Sequence, residues 1–452
     1  MNGLWISGSG LSPGGPGAPE AASVIPAGAR HDVVVIGGGQ AGLAMSHCLR
    51  RDGLDHVVLE RDLIAAEWRE RRWDTFCLVT PNWQCRLPGF PYQGEDPDGF
   101  MGRDEIVRYL EGYAASFDPP VLEGVTVTEV RADGDRFLVR TDRGTLTANR
   151  VVVAAGPYQR PVIPRAAERL PARIRQLHSA EYRNPGALPP GDVLVVGTGQ
   201  SGCQIAEDLH LAGRAVHLCV GSAPRVARRY RGRDVVAWLD LMGYYDRGID
   251  EFDDHDAVRA RANHYVTGRD GGRDIDLRAL ARTGMRLYGR LAGIEPDGLR
   301  CGDGLAADLD HADRVSESIK DAIDAFIADT GRQAPAEDRY VPVWHPPAEP
   351  GSPPLDRISA VVWCTGFRRD HSWLRVPVFD GTGYPVHHRG VTSFPGLYFL
   401  GLPWQHTWGS GRFSGVGRDA EHLAALLRGA APEEPRYRIH ADYRVHPELL
   451  GT

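Results

Sequence analysis

One pattern, present twice, constrains this chain more than anything else in it. It consists of a β-branched run, a glycine-rich turn, a helix-like segment and a second β-branched run. In the first copy Val33-Val34-Val35-Ile36 leads into Gly37-Gly38-Gly39-Gln40-Ala41-Gly42, residues 43–50 read as the start of a helix, and Val57-Val58-Leu59 ends on Glu60. Each part has a physical reason in a dinucleotide site. Gly37 permits the tight turn out of the strand, Gly39 lets backbone approach a pyrophosphate, and Gly42 allows close helix–strand packing. The amide groups and positive dipole end of the helix then hold the phosphates. Glu60 falls about 20 residues past the glycines, where an acidic side chain binds ribose hydroxyls. Arg61, Trp68 and Gly156 complete the residues expected around this cofactor, Gly156 closing the apolar run that starts at Val151.

In the second copy Val193-Leu194-Val195-Val196 is the strand, Gly197-Thr198-Gly199-Gln200-Ser201-Gly202 the turn, and residues 203–212 the helix. The next strand, residues 215–220, closes on Gly221-Ser222 with no acid, and Arg225, Arg228 and Arg229 follow. A carboxylate there would repel a 2′-phosphate, whereas a hydroxyl and a guanidinium accept it. The first unit is therefore expected to hold FAD. The second is expected to hold NADPH, with Ser222 and Arg225 receiving the phosphate. Two complete units on one chain predict hydride transfer from NADPH to FAD, with the flavin carrying the remaining chemistry.

The length of 452 residues suffices for two or three domains, and a formal charge of −7 gives no electrostatic case for nucleic acid. Lys320 is the only lysine, which argues against Schiff-base chemistry, and it reads as a solvated side chain. No apolar stretch reaches the ~20 residues of a membrane helix. The seven cysteines contain no CxxC pair, so a reduced, cytoplasmic protein with no disulfide framework and no metal site is expected. The Gly-, Ser- and Pro-rich residues 1–29 lack a basic start and an apolar core, and read as a flexible leader.

The expected fold is α/β, with two Rossmann-like dinucleotide-binding domains, the FAD domain being interrupted by the NADPH domain. The FAD domain takes residues 30–165: the first unit, an aromatic-rich loop around Asn82, an amphipathic helix from Arg103 to Phe117, and a meander of three short strands before the closing strand. The NADPH domain with an insertion takes 166–354, and a charged helix is read over 316–329. Residues 355–430 return to the FAD domain, with a buried strand over 358–364 ending at Thr365-Gly366, and 431–452 form a tail. Thr365 and Gly366 are placed beside the cofactor.

His178, with Tyr182 four residues on, lies between the two units. Together with both glycine motifs and Trp363-Cys364-Thr365-Gly366-Phe367, this resembles the flavin-containing monooxygenase family, the class B flavoprotein monooxygenases. The likeness spans roughly residues 30–430. At the linker the family's Phe and Gly positions are Ala172 and Ile174 here, and only His178 and Tyr182 match. The resemblance implies that NADPH reduces FAD, that O2 gives a flavin C4a-hydroperoxide, and that oxygen passes to a small molecule. Tyr182, where Baeyer–Villiger enzymes of this plan carry Trp, tilts the expectation towards nitrogen or sulfur. It also implies Asn82 near the flavin C4a, with His178 and Tyr182 as a hinge or coenzyme contact. Baeyer–Villiger oxygenation, a plain FAD/NADPH oxidoreductase and a redox-sensing flavoprotein stand as alternatives.

Overall fold

The structure, a computed structural model, describes residues 24–296, 298–349 and 351–429. The expected tail, and all but the last residues of the expected leader, lie outside the described residues.

The first half is built on β1 (Ala29–Ile36), α1 (Gln40–Arg51) and β2 (His56–Leu59). The uninterrupted apolar run of β1 fits a parallel strand covered on both faces. Val33 and Val35 pack with α1, while Val34 and Ile36 join the opposite core. α2 (Arg103–Phe117) adds Ile106 and Leu110 to the α1 side. β3 (Val127–Asp133), β4 (Arg136–Thr141) and β5 (Gly144–Val153) form the meander. The last meander strand and the closing strand, read separately from the sequence, are one strand. β5 pairs antiparallel with β4 at its start, and Val151, Val152 and Val153 then align parallel with Val34, Val35 and Ile36 of β1.

The second sheet holds β6 (Arg175–His178), β7 (Asp192–Val196), β8 (Val216–Cys219), β9 (Arg286–Tyr288) and β10 (Ile358–Trp363), all parallel, in the order β6-β10-β7-β8-β9. α3 (Gln200–Leu211) follows β7. This corrects the expectation that the chain rejoins the first domain at residue 355. β10 lies between β6 and β7, with Val361 opposite Leu194 and Val362 opposite Leu177. Its apolar run is legible as a buried strand, but which sheet receives it is decided by pairing over more than a hundred residues. The chain returns to the first sheet only at Leu374–Arg375 and Leu397–Phe399.

The charged helix is longer than its periodicity suggests, running from Leu305 to Thr330. Lys320 is buried rather than solvated, with its Nζ 2.7 Å from Glu317 and lying over the Tyr230 ring. Among the described residues, no helix is long and apolar enough to cross a membrane.

Candidate dinucleotide sites and the seam between them

The two glycine turns have the same build, position by position. At Gly37 (φ +108°) a Cβ would fall 2.6 Å from the Ala154 carbonyl oxygen, and at Gly197 (φ +103°) 2.7 Å from that of Cys364. At Gly42 and Gly202 a Cβ would stand 1.8 and 1.9 Å from the carbonyl oxygens of Gly37 and Gly197. These four positions exclude any side chain, because the obstacle is backbone. Gly39 and Gly199 differ from them: a Cβ there meets no protein atom within 4 Å. The open space lies over the helix N-termini, which begin at Gln40 and Gln200 with no capping side chain and no acid in the first turn. Unsatisfied amides facing an open cradle are what a pyrophosphate requires.

Glu60 stands at the first cradle as expected. Its carboxylate accepts hydrogen bonds from the amides of Gly38 (2.5 Å) and Asp62 (2.8 Å), beside the turn where a ribose would lie. Ala41 is buried against Gly401, and Gln40 Nε2 donates to the Gly411 carbonyl. Trp68 stacks on Phe413 at 5.6 Å under the Arg72 guanidinium. Arg61 is exposed and paired with Asp62. Gly156 (φ +66°) has open space at its Cβ position. The residues present fit FAD.

At the second cradle Ser222 is exposed just past β8, and no carboxylate closes that strand. The Gly221 amide donates to Thr198 Oγ1 at 2.8 Å, tying the strand end to the glycine turn. Gln200 donates to the Val266 carbonyl, and Ser201 is half-buried. These residues fit NADPH, but Arg225 does not serve as a free phosphate clamp. It is buried, with Nε 2.6 Å from Asp313 and its guanidinium over the Tyr340 ring at 4.0 Å. Arg228 is likewise buried, donating to Asp234 and the Val79 carbonyl. Arg229 remains exposed. With 59 acidic residues in the chain, nothing local in the sequence says which arginine finds a carboxylate.

Asn82, expected near the flavin C4a, and His178 and Tyr182, expected as a hinge or coenzyme contact with a part in catalysis, each engage other parts of the chain. Asn82 is buried; its Nδ2 donates to the Asp96 carbonyl and its Oδ1 accepts from the Met101 amide at 2.7 Å. The side chain thus clasps its own loop. His178 is buried on β6. One nitrogen, Nε2, lies 3.0 Å from the Gly366 carbonyl, and Nδ1 accepts from the Ala180 amide. That pairing fixes the neutral tautomer with Nε2 protonated, and burial holds the imidazole below the usual histidine range. Thr365 donates to the Val162 carbonyl, so Thr365 and Gly366 lie where β10 meets the linker.

Tyr182 leads to a residue that sequence reasoning missed. Its hydroxyl donates to Asp208 of α3 at 2.6 Å, and burial, with that carboxylate, pushes the phenol up. Asp208 also accepts from Thr75 of the first unit's loop at 2.7 Å and from Arg269 at 2.9 Å. One buried carboxylate therefore joins both halves and the linker. The available signal was the adjacent pair Glu207-Asp208 between the apolar Ile205-Ala206 and Leu209 of α3, where buried acids need partners. Nearby, Asp74 accepts from Asn184, and Arg183 donates to the Glu70 carbonyl.

The insertion docks onto the loop that follows Gly401. The Ile249 amide donates to the His406 carbonyl at 2.7 Å, Tyr245 lies 4.7 Å from Trp408, and Phe252 meets Trp404 edge-on at 5.5 Å. Arg412 stacks over Trp408 at 3.7 Å and donates to Asn263. It also donates to the Trp408 carbonyl, and among the described residues no carboxylate lies within ion-pair distance of it. α4 (Val416–Leu427) follows and packs on α1 in the first core.

The chain matches the pyridine nucleotide-disulphide oxidoreductase family over residues 34–268. It is 34% identical to an uncharacterized CzcO-like oxidoreductase of Geobacillus kaustophilus over 395 residues, 87% of this chain and 97% of that protein. It is also 34% identical to the rice indole-3-pyruvate monooxygenase YUCCA1, over 200 residues, 43% of this chain and 49% of that one. The flavin-containing monooxygenase of Stenotrophomonas maltophilia shares its fold, with a TM-score of 0.61 at 23% identity over 89% of this chain and 99% of that chain. The chain belongs to the pyridine nucleotide-disulphide oxidoreductase family, with the two-dinucleotide build of the flavin-containing monooxygenases and cradles fitted to FAD and NADPH.

Proposed function

We propose that this protein is an FAD- and NADPH-dependent monooxygenase that oxygenates a small organic molecule at nitrogen or sulfur by way of a C4a-hydroperoxyflavin. The observation that carries the reading is the pair of matched cradles, one with Glu60 and one without an acid, joined through Tyr182 and Asp208. The likeness to monooxygenases of the same build supports it. Bound FAD would supply both hydride acceptance and oxygen activation. The chain's own residues bind and position. The amides after Gly39 and Gly199 hold phosphates, Glu60 orients a ribose, and Asn82, His178 and Tyr182 keep loop and linker in place. The 245–252 segment, lying over Trp404 and Trp408, serves to exclude water. A cytoplasmic setting belongs to this reading and rests on seven cysteines that are all free thiols.

Stopped-flow mixing of the NADPH-reduced protein with O2 tests it. A transient hydroperoxide absorbance, followed by oxygenated amine or thioether, is the expected result. Reoxidation with no such intermediate would favour the plain oxidoreductase, and ester formation from a ketone the Baeyer–Villiger alternative. Coenzyme choice is tested separately by Ser222→Asp. A carboxylate at the strand end should repel the 2′-phosphate and weaken NADPH by about 1.5–3 kcal/mol, roughly 10–100-fold. NADH should be affected little. Arg225→Ala is unsuitable here, because it strips Asp313 of a buried partner. Equal loss with both coenzymes would place the phosphate elsewhere, Arg229 being the next cation to replace.

A further inference from the structure

Two cysteines far apart in sequence meet at the second cradle. Cys219 ends β8 and is fully buried, and Cys301 ends the strand Gly298–Cys301 and is half-buried. Their Sγ atoms are 3.9 Å apart. The hairpin that carries Cys301, Leu291–Glu295 with Gly298–Cys301, rests on the sheet through Ile294 and Leu299, which pack in one core with Cys219. Closing to the ~2.05 Å of a disulfide needs a shift of about 2 Å, which the half-buried Cys301 at the hairpin's end would make against the bonds from Arg169 to the Ile294 carbonyl and from the Cys301 amide to Ser352.

Cys219 is tied to the cradle by backbone. Its carbonyl accepts the Gly197 amide at 3.1 Å, and two residues on the Gly221 amide donates to Thr198 Oγ1 at 2.8 Å. A pull on Cys219 is therefore a pull on the turn that would hold the NADPH pyrophosphate. The two thiols also differ in exposure, Cys219 being fully buried and Cys301 half-buried. The Cys219 thiol and the Ser352 hydroxyl lie against Cys301 and hold it below the usual thiol range. Burial pushes the thiols of Cys48, Cys85 and Cys364 up to about 12, and raises Cys77 and Cys203 as well.

We propose that Cys219 and Cys301 form a hydroperoxide-reactive dithiol, and that joining them weakens NADPH binding. The Cys301 thiolate attacks one oxygen of hydrogen peroxide; the O–O bond breaks, and hydroxide leaves as water after taking a proton. The Cys219 sulfur then attacks the sulfenic sulfur of Cys301; the S–S bond forms, the S–O bond breaks, and a second water leaves with the Cys219 proton. Two thiols lose two electrons in all, and one peroxide is reduced to two waters. A flavoprotein that reacts with O2 is itself a source of that oxidant. That source rests on the proposed activity, whereas the thiol chemistry with added peroxide does not. Only the effect on coenzyme rests on the NADPH reading.

The test treats the full chain, as purified with its flavin, with one equivalent of hydrogen peroxide. After quenching and unfolding in guanidinium, maleimide counting should fall from seven thiols to five, and peptide mapping should recover Cys219 joined to Cys301, reversibly with dithiothreitol. The dissociation constant for NADPH should rise about tenfold in the oxidised protein. Cys301→Ser, and separately Cys219→Ala, should bind NADPH equally well before and after peroxide. Recovery of Cys301 as sulfinate with Cys219 still free would overturn the dithiol, as would loss of thiols at other cysteines only. A formed disulfide with unchanged NADPH affinity would overturn the coupling while leaving the pair standing. Loss of all NADPH binding in untreated wild type would count against the coenzyme assignment instead.

Discussion

Gly39→Ala should yield a folded protein that is purified largely without flavin, and Gly199→Ala a yellow protein that NADPH fails to reduce. Both positions have ordinary backbone angles (φ −75° and −62°) and open space where a Cβ would go, so neither change collides with protein. The added methyl occupies the space a pyrophosphate needs. Forcing a methyl into a close-packed contact costs about 1–3 kcal/mol, or roughly 5–150-fold in affinity. Circular dichroism with flavin absorbance separates the cases for Gly39→Ala, and coenzyme titration does so for Gly199→Ala. A Gly39→Ala protein that is folded and fully loaded would refute the first cradle. Gly42→Val reports something else. Its Cβ would stand 1.8 Å from the Gly37 carbonyl oxygen, so it should fail to fold rather than merely lose FAD. The parallel readout for the second unit is Gly202, at 1.9 Å from Gly197.

Asp208→Ala is expected to be the most damaging single change at the seam. Asp208 is buried and serves three donors, from Thr75, Tyr182 and Arg269. Removing it strands the buried phenol, the Thr75 hydroxyl and the partly exposed Arg269, which keeps Asp270 at 3.9 Å; at about 1–3 kcal/mol for each donor left unsatisfied, the total is about 3–5 kcal/mol. Tyr182→Phe takes away one of those bonds and should cost less, about 1.5–3 kcal/mol. Urea unfolding followed by tryptophan fluorescence measures both. The seam also predicts a functional signature in Tyr182→Phe, which keeps both cradles intact. Flavin content and NADPH affinity should stay near wild type, while hydride transfer slows because the two halves are less firmly aligned. A Tyr182→Phe protein as stable as wild type would show that Asp208 is satisfied without the phenol.

The two cradles were legible in the sequence because what they need is local. A strand must turn into a helix within six residues, and the third glycine is excluded from bearing a side chain by the carbonyl of the first, five residues earlier. Glu60 is readable for a related reason: it ends the strand adjacent to β1, and the parallel register fixes where its carboxylate falls. The helix from Arg103 to Phe117 follows from its period alone.

Long-range choices decided the rest. The residues of β10 announce a buried strand, but both sheets have a parallel, apolar centre, so composition gives no preference between them; pairing beside Leu177 and Leu194 settles it. Arg225 follows a strand end that looks suited to phosphate, yet Asp313, 88 residues on, takes its guanidinium. Asn82 and His178 carry polar atoms suited to chemistry, and the folded chain engages them with backbone at Met101, Asp96 and Gly366. A buried polar group must find a partner somewhere in the molecule, and the sequence states the need without naming the partner. It determined by itself that this chain binds two dinucleotides in two α/β units. Which side chains remain free for ligands, and which are consumed in holding the units together, only the tertiary structure decided, because the cost of burying an unpaired charge is resolved between residues that meet only after folding.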